Sequence, residues 1–444
     1  MSTLQPKDSA ASWRVLAGCC LVAIFGVSSL YGSTFGLMMR PMQQDLGWSR
    51  GDIAFSLTLM TFVGPAIMPL VGWVIDNVPL RPLILAGVVL QSASLAAFGF
   101  MDGSVWVYYS LCLAMIVTAS GASMLTLAKV LQTWFDKAFG RALGILFAVT
   151  TVGAVIHPQI ISRVILQASW REAFMAMGAM SLVFGGLAAL WLVHERKATA
   201  SAAPGAGPPK AAFDAAQASA TPVSMRAFLT DRVWWLLALW NMLFAFAVGA
   251  IMLHYAALMQ DRGLSLAQAA TALSIIGLGG FAGNLLAGWL VDRTSATRLA
   301  RAFVIAPLFA AILLWAGSGM AAAMVAAVLL GVFNGGDHSL SVFLAKRYFK
   351  PELFGRASAT QMIATSFGGG ISPWLAGMVH DRTGSYDMAL LMSVGAFVLA
   401  VGAAWLLPDF REGEGPGTGA AQDEGATGAQ QHAAVATGAN ARGA

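Results

Sequence analysis

Apolar residues fill most of this chain in blocks of about 20, and no other feature constrains its fold as strongly. A helix of about 20 residues spans the hydrocarbon core of a bilayer, where every backbone polar group must be hydrogen-bonded internally. The strands of a membrane β-barrel would instead alternate in polarity over about 10 residues. The blocks Leu83–Met101 and Met388–Leu407 do not alternate. We therefore expect an all-α protein that crosses a membrane many times.

The charge content argues against a soluble protein. Lys, Arg, Asp and Glu make up 11% of the 444 residues, whereas a soluble domain carries about 25%. The sequence has no Walker A or H-E-x-x-H motif, and no G-x-S-x-G lies between a strand and a helix. Cys19, Cys20 and Cys112 form no C-x-x-C pair. We predict a protein that is not an enzyme and that binds no metal and no cofactor.

The apolar blocks divide into twelve expected spans, six on each side of a linker. The linker is rich in Ala, Pro and Gly and the tail in Gly, Ala and Thr, so neither can bury enough apolar surface to fold. The segments are a cytoplasmic N-terminus (1–13), a first six-helix bundle (14–193), the linker (194–231), a second six-helix bundle (232–408) and the tail (409–444). The spans are expected at residues 14–37, 53–75, 83–101, 106–131, 142–166, 172–193, 233–258, 267–291, 302–318, 320–345, 357–379 and 387–407.

The basic residues predict the orientation. Most of the 26 Lys and Arg residues fall on the side of the membrane that holds the N-terminus. Cytoplasmic loops carry such an excess of positive charge, so both termini and the linker are expected in the cytoplasm, with the chain in a bacterial inner membrane. Six basic residues lie at or near the other face: Arg40, Arg50, Arg163, Arg171, Arg262 and Arg382.

The two halves repeat each other in sequence. Asp45–Ser49, before the second span, matches Asp261–Ser265, before the eighth. Gly72–Asp76, at the end of the second span, matches Gly288–Asp292, at the end of the eighth, at the same offset. Two parallel six-helix halves that enclose a central site are the architecture of many secondary transporters. The repeat therefore favours a transporter over a structural membrane protein.

The repeated Gly-x-x-x-Asp motif begins in the last turn of the second span of each half, and its Asp falls at the short loop that follows. Its carboxylate can pair with a loop arginine or with a neighbouring helix N-terminus. Such a contact can break and re-form as two bundles rock, whereas a single copy would indicate only an ordinary charge at a helix end. We predict that Asp76, Arg81 and Arg141 in the first half and Asp292, Arg293 and Arg356 in the second act in gating.

In these motifs the chain resembles the major facilitator superfamily, over all its length except the two ends and the linker. A finer set of residues resembles the oxalate/formate–monocarboxylate branch of that superfamily. The resemblance implies the major facilitator fold and a small organic anion as substrate, often moved with a proton. The finer set comprises Gly47-Trp48-Ser49-Arg50, Trp134-Phe135, Arg141-Ala142-x-Gly144, Gly153-Ala154, Pro158 and Trp170-Arg171-x-Ala173-Phe174.

The tenth span carries the clearest set of polar residues inside the membrane. Asn334, Asp337, His338 and Ser341 follow the spacing that places side chains on one helix face. Ionisable groups are costly in a bilayer and mark functional sites by default. We predict that Asp337 and His338 handle the coupled proton. The alternative is a cluster of hydrogen bonds that serves only helix packing.

Other polar residues in the spans are candidates for contact with the substrate. His157 precedes a proline that frees a backbone carbonyl in the fifth span. Lys129 and Arg40 can attract an anion, although a lysine near a helix end also snorkels to the membrane surface. The branch often has a basic residue in span 8 or 11, where this chain has Asn284 and Gln361. The predicted substrate-binding residues are Tyr31, Arg40, Lys129, His157, Asn241, Asn284, Asn334 and Gln361.

These observations predict a secondary active transporter that works by alternating access. The expected substrate is a small organic anion, a monocarboxylate or an aromatic acid, and protons are the expected coupling ion. Two alternatives stay open: a proton-coupled exporter of amphipathic compounds or drugs, and a transporter-like receptor that binds without translocation. The expected partners are the small-molecule substrate, protons and the lipid bilayer; no nucleic acid is expected, and the chain is expected to be a monomer.

Overall fold

A computed structural model describes residues 8–194 and 231–408 of the chain, without Asp292, Ser295, Ser318 and Lys350. The side chains of some further residues inside helices, His338 and Arg356 among them, are not described. The expectations for the first seven residues, for nearly all of the linker and for the tail therefore lie outside the described residues.

The described residues form twelve helical segments, six before the linker and six after it. This arrangement confirms the predicted class, an all-α protein of two six-helix halves. The segments are α1 (Ala10–Leu46), α2 (Arg50–Asn77), α3 (Leu80–Phe100), α4 (Val105–Trp134), α5 (Phe139–Gln167), α6 (Trp170–Trp191), α7 (Arg232–Asp261), α8 (Leu266–Val291), α9 (Ala296–Ala316), α10 (Met320–Tyr348), α11 (Pro351–Thr383) and α12 (Asp387–Trp405).

Ten of these helices, counted over the described residues, are long and apolar enough to cross a membrane. The apolar stretch of α9 is shorter, Arg301–Ala316, and α11 is not among the ten. Large apolar side chains cover the outside of both halves: Phe100 and Trp106 of the first half and Leu399 of the second are all more than 60% exposed. In water so much apolar surface would drive association, whereas in a bilayer it faces lipid.

Sharp turns and one break shape the first half. Gly47 ends α1 in the left-handed conformation, with φ +67°, which glycine adopts at little cost. Ser49 begins α2 by accepting a hydrogen bond from the backbone N–H of Asp52 at 3.0 Å. The helix α1 is itself divided at Phe25 and Gly26 into Ala10–Ile24 and Val27–Leu46. The break places Ser29, just beyond it, against α5.

The two halves pack on each other at the helix ends that lie farthest from the linker. We call this end of the molecule the far side, and the end that carries His194 and Asp231 the linker side. At the far side α2 packs on α11, α5 on α8 and α1 on α7. A Cβ added to Gly377 would lie 2.8 Å from the backbone of Arg50, and one on Gly36 would lie 2.8 Å from the carbonyl oxygen of Leu253. Glycine therefore allows these close contacts between the halves.

Side-chain hydrogen bonds also join the halves toward the far side. Thr58 of α2 donates to the carbonyl oxygen of Gly370 at 2.6 Å. Ser274 of α8 donates to the carbonyl oxygen of Val155 at 2.6 Å and accepts from the side chain of Gln159 at 3.1 Å. Each of these bonds must break if the halves separate on this side.

Candidate functional site

A cavity of about 790 Å³ lies between the two halves. Its walls come from α1 and α5 of the first half and from α7, α8 and α10 of the second. It runs along the linker-side part of α5 and ends where α5 and α8 meet. Among the described residues its lining is uncharged, and its polar side chains are Ser33, Thr150, Thr151, Asn284 and Asn334.

Two of the predicted substrate-binding residues line this cavity, Asn284 of α8 and Asn334 of α10. Asp337 follows Asn334 by one helical turn and is half-buried. The described structure therefore brings the predicted face of the tenth span to the cavity wall at Asn334. The side chain of His338 lies outside the described part of the chain.

A second group of predicted residues forms a polar cluster inside the second half. Ser341 of α10 lies 2.8 Å from Oδ1 of Asn241 and 3.0 Å from Oε1 of Gln361. All three side chains are buried. The side-chain nitrogen of Gln361 has no hydrogen-bond partner in the described structure. This cluster ties α7, α10 and α11 together, and none of its three side chains is in the cavity lining.

His157 is 1% exposed, on α5 and close to the break in α1. Its ring centroid lies 5.6 Å from that of Phe25. A Cβ on Gly153, one turn earlier, would lie 2.0 Å from the hydroxyl of Ser29 and 2.8 Å from the His157 ring. Neither ring nitrogen has a hydrogen-bond partner among the described residues. The imidazole is thus enclosed behind the cavity wall.

Tyr31 and Lys129 are placed away from the cavity. The Tyr31 hydroxyl lies 3.4 Å from that of Tyr108 within the buried core of the first half. Lys129 donates to the carbonyl oxygen of Ile75 at 2.7 Å and pairs with Asp76 at 2.8 Å. The side chains of both residues therefore make their polar contacts within the first half.

The described members of the predicted gating set lie on the linker side. Asp76 pairs with Lys129, whereas Arg81 donates to the carbonyl oxygen of Leu190 at 2.9 Å. Arg141 is exposed at the start of α5. The guanidinium of Arg293 lies 4.0 Å from the ring centroid of Trp289. Asp292 and the side chain of Arg356 lie outside the described residues.

A buried ion pair joins the two halves at the far side. Arg50, the first residue of α2, donates to both carboxylate oxygens of Asp261 at 2.5 and 2.8 Å, and to the side chain of Gln43 at 2.9 Å. The Arg50 side chain is 5% exposed. Nearby, Arg40 donates to the carbonyl oxygen of Gln260 at 3.0 Å. These contacts hold the far side closed.

Residues of α11 extend this ion pair. Asp381 accepts hydrogen bonds from the backbone N–H groups of Arg50 and Gly51 at 3.0 and 2.8 Å. His380 lies between two carboxylates, with Nε2 3.4 Å from Asp261 and Nδ1 3.7 Å from Asp381. We call Arg50, Asp261, His380 and Asp381 the Arg50 cluster.

His380 is beyond the span expected at 357–379, at the far-side end of α11. Burial alone would lower the pKa of His380, but the carboxylates of Asp261 and Asp381 raise it above its ordinary value. The cluster was not among the predicted site residues. Two signals pointed to it: Arg50 lies on the side where basic residues are scarce, and Asp261 lies in the repeated motif.

The described residues contain no group of three or more His, Cys, Asp and Glu side chains that could hold a metal ion. The charged groups near the interface between the halves pair with one another instead.

The sequence matches one family of membrane transporters and individual transporters among curated proteins. A family model described as Major Facilitator Superfamily matches residues 19–323. The probable sulfoacetate transporter SauU of Cupriavidus necator is 27% identical over 384 residues, which are 82% of this chain and 86% of that protein. Monocarboxylate transporter 11 of Homo sapiens is 24% identical over 416 residues, 89% of this chain and 82% of that protein.

A solved structure shares the fold. It is a bacterial homologue of the human lysosomal transporter Spinster, in an inward-facing and unoccupied conformation. The TM-score is 0.70 at 16% identity, with 90% of this chain and 97% of that chain covered. At this identity the likeness concerns the fold alone.

Proposed function

The chain belongs to the major facilitator superfamily, and we propose that it carries a small organic anion across the membrane by alternating access. One observation carries the proposal: a cavity of about 790 Å³ lies between two halves that are joined at the far side. In alternating access two such halves rock about a central site. The hydrogen bonds and ion pairs between the halves at the far side would break as the linker side closes.

The lining of the cavity and the relatives support an anion as substrate. Amide groups of Asn284 and Asn334 and hydroxyls of Ser33, Thr150 and Thr151 can donate hydrogen bonds to a carboxylate or a sulfonate. No acidic side chain among the described lining residues would repel it. Two relatives are named for the transport of sulfoacetate and of monocarboxylates. Both names denote small acids that are charged at neutral pH.

We place proton coupling at Asp337 and His338 of α10. Asp337 is half-buried one turn beyond Asn334 of the cavity wall. A charged acid inside a membrane-spanning helix is costly, so its charge is sensitive to what binds beside it. The gating role of Asp76, Arg81, Arg141, Asp292, Arg293 and Arg356 is proposed for the linker side, where contacts between the halves must form when that side closes.

The basic residues orient this arrangement. With the linker side in the cytoplasm, as the excess of Lys and Arg favours, the structure is the inward-facing state of a protein in the bacterial inner membrane. We propose that a single chain is the working unit, because each chain contains both halves of the cavity.

Uptake into proteoliposomes tests the function. The panel contains sulfoacetate, monocarboxylates, aromatic acids and neutral amphiphiles, each with and without an imposed pH gradient. We expect one class of acid to accumulate with the gradient. Asp337→Asn should abolish gradient-driven uptake and keep counterflow of labelled substrate. The matched control is Asp136→Asn, an exposed acid in the turn between α4 and α5, which should behave as the parent.

Other outcomes separate the alternatives. Movement of amphiphiles without movement of any acid would replace the anion proposal with the exporter. Binding without counterflow would identify a receptor. Gradient-driven uptake that survives Asp337→Asn would contradict the assignment of proton coupling to α10. It would leave the assignment of an anion as substrate intact.

A further inference from the structure

The Arg50 cluster is divided between the two halves. Arg50 belongs to the first half, and Asp261, His380 and Asp381 belong to the second. When the far side opens, the guanidinium of Arg50 leaves Asp261, and the N–H groups of Arg50 and Gly51 leave Asp381 at the same time. Two carboxylates are then left on one surface without the positive groups that held them.

His380 is the remaining group between these carboxylates. Its Nε2 and Nδ1 lie 3.4 and 3.7 Å from oxygens of Asp261 and Asp381. A neutral imidazole has one N–H, so one ring nitrogen would turn its lone pair toward a carboxylate. The imidazolium has two N–H groups and can direct one to each acid. The geometry therefore favours a proton on His380 once Arg50 has gone.

We propose that Asp261, His380 and Asp381 form a proton-binding site in which a proton replaces Arg50 when the far side opens. The proton comes from water on the far side and adds to the free ring nitrogen of His380, while Arg50 keeps its own charge throughout. When the far side closes, Arg50 returns to Asp261 and weakens the hold on the proton. The role of this site in transport rests on the proposed function, whereas its effect on the opening of the far side does not.

The direction of the pH effect follows from the groups around His380. In the closed form, burial and the charge of Arg50 both lower the pKa of His380, and Asp261 and Asp381 raise it. Opening removes both lowering influences and keeps both acids, which are on the same half as His380. The open form thus binds the proton more tightly. Lower pH should therefore favour the form that is open on the far side.

The other titratable groups nearby do not change this direction. The Tyr386 ring centroid lies 4.5 Å from that of His380. The Tyr386 hydroxyl lies 2.9 Å from Nδ1 of His254, and Nε2 of His254 lies 2.7 Å from the carbonyl oxygen of Pro373. Because a carbonyl only accepts, Nε2 carries the proton and Nδ1 accepts from Tyr386. Neutral His254 is therefore fully bonded, unlike neutral His380.

The test measures how often the far side opens, without any substrate. Met39 is fully buried, and its sulfur lies 3.8 Å from the Tyr386 hydroxyl across the boundary between the halves. Met39→Cys, with Cys19, Cys20 and Cys112 replaced by Ala, reports opening through its rate of reaction with a maleimide. The rate at Asp102→Cys, an exposed position on the far side, corrects for the pH dependence of the reagent.

We expect the corrected rate to rise about tenfold as the pH falls from about 8 to about 6. His380→Gln should be slow at every pH, because Arg50 then has no competitor. Arg50→Gln should be fast at every pH, so the two variants depart in opposite directions, which misfolding of both would not produce. Asp45→Asn, which breaks an ion pair inside the first half, should keep the parent pH profile.

An unchanged pH response in His380→Gln, or a rate that rises with pH in the parent, would overturn the proposal. A folded His380→Gln protein is verified by its elution volume and by its rate at Asp102→Cys. If no acid moves in proteoliposomes, the proposed function is contradicted, but the pH response of labelling at Met39→Cys still supports the proton-binding site. If transport is unaltered and the labelling rate at Met39→Cys does not respond to pH, the proton-binding site is contradicted and the proposed function stands.

Discussion

Asp45 and Asp261 occupy equivalent positions in the two halves, and they bind differently. Each lies in the last turn of the first helix of its half. Asp45 pairs with Arg171 and accepts from the indole of Trp170 at 3.1 Å, both in its own half. Asp261 pairs instead with Arg50 of the other half. The same carboxylate therefore stabilises one half internally and, in its second copy, joins the halves.

The cause lies at the start of the sixth helix of each half. The helix α6 begins with Trp170 and Arg171, so Asp45 finds a cation there. The helix α12 begins with Asp387, which pairs with Arg262 at 3.5 Å. The position that corresponds to Arg171 thus holds an acid in the second half, and Asp261 binds Arg50 across the boundary. A reversal of charge at one position converts a structural contact into one that a conformational change must break.

The largest effect is expected from Asp261→Asn. It leaves the guanidinium of Arg50, 5% exposed, without its carboxylate. Removal of one partner of a buried ion pair typically costs about 3–5 kcal/mol, so we expect closure of the far side to be lost and counterflow to fall about 100-fold. The measurements are counterflow in proteoliposomes and labelling of Met39→Cys.

Asp45→Asn is the matched control for this prediction. The Asp45 side chain is 45% exposed, and exposed ion pairs contribute little, so counterflow should stay within about threefold of the parent. The double variant Arg50→Met, Asp261→Met should recover closure, because apolar replacement of a buried pair is often neutral. Equal loss in Asp45→Asn and Asp261→Asn would show that the two acids do not differ in role.

The second largest effect is expected from Gly377→Ala, which tests the backbone beneath the ion pair. The added Cβ would lie 2.8 Å from the carbonyl carbon and oxygen of Arg50 and from Cα of Gly51. Backbone cannot yield as a flexible side chain does, and overpacking costs about 1–3 kcal/mol, so counterflow should fall about tenfold. Gly395→Ala, with nothing within 4 Å of its Cβ, should show no loss. A harmless Gly377→Ala would contradict close packing of α2 on α11.

The sequence predicted the features that are local. Blocks of about 20 apolar residues and a repeated loop motif are sufficient for an all-α fold of two six-helix halves, which the family match and the shared fold confirm. Helical spacing also places the polar positions of the tenth span on one face without reference to the neighbouring helices. Asn334 of that face lines the cavity, and its role in binding stays a prediction.

The sequence did not predict the contact between the halves. Arg50 and Asp261 are 211 residues apart, and each resembles an ordinary charge next to a loop. Tyr31 shows the same limit on a smaller scale. Its polar group was expected to face a cavity, yet it packs against Tyr108 within the first half. Which face of a helix meets which neighbour depends on how six helices pack, and no single helix encodes that.

A third prediction concerns a substitution that gives the second half the charge that the first half has at the start of its sixth helix. Asp387→Arg would place a cation at the start of α12, as Arg171 is placed at the start of α6. Asp261 would then have a partner in its own half that competes with Arg50, and Arg262 would lose its acid. We expect labelling of Met39→Cys to rise about fivefold, with a smaller change in counterflow. Asp387→Asn removes the acid without adding a competitor and should cause less opening. An identical response to Arg and Asn would mean that charge at this position does not direct Asp261.

The smallest effect is expected from Lys129→Met, because this ion pair resembles that of Asp45. Lys129 and Asp76 belong to the same half, and their side chains are 32% and 74% exposed. If Lys129 only pairs with Asp76, the KM for the transported anion should change by less than about twofold. Asn284→Ala, in the cavity lining, should raise that KM several times more. Since an anion bound by Lys129 would lose a full charge partner, a tenfold rise in KM for Lys129→Met would extend the binding site from the cavity to the linker side.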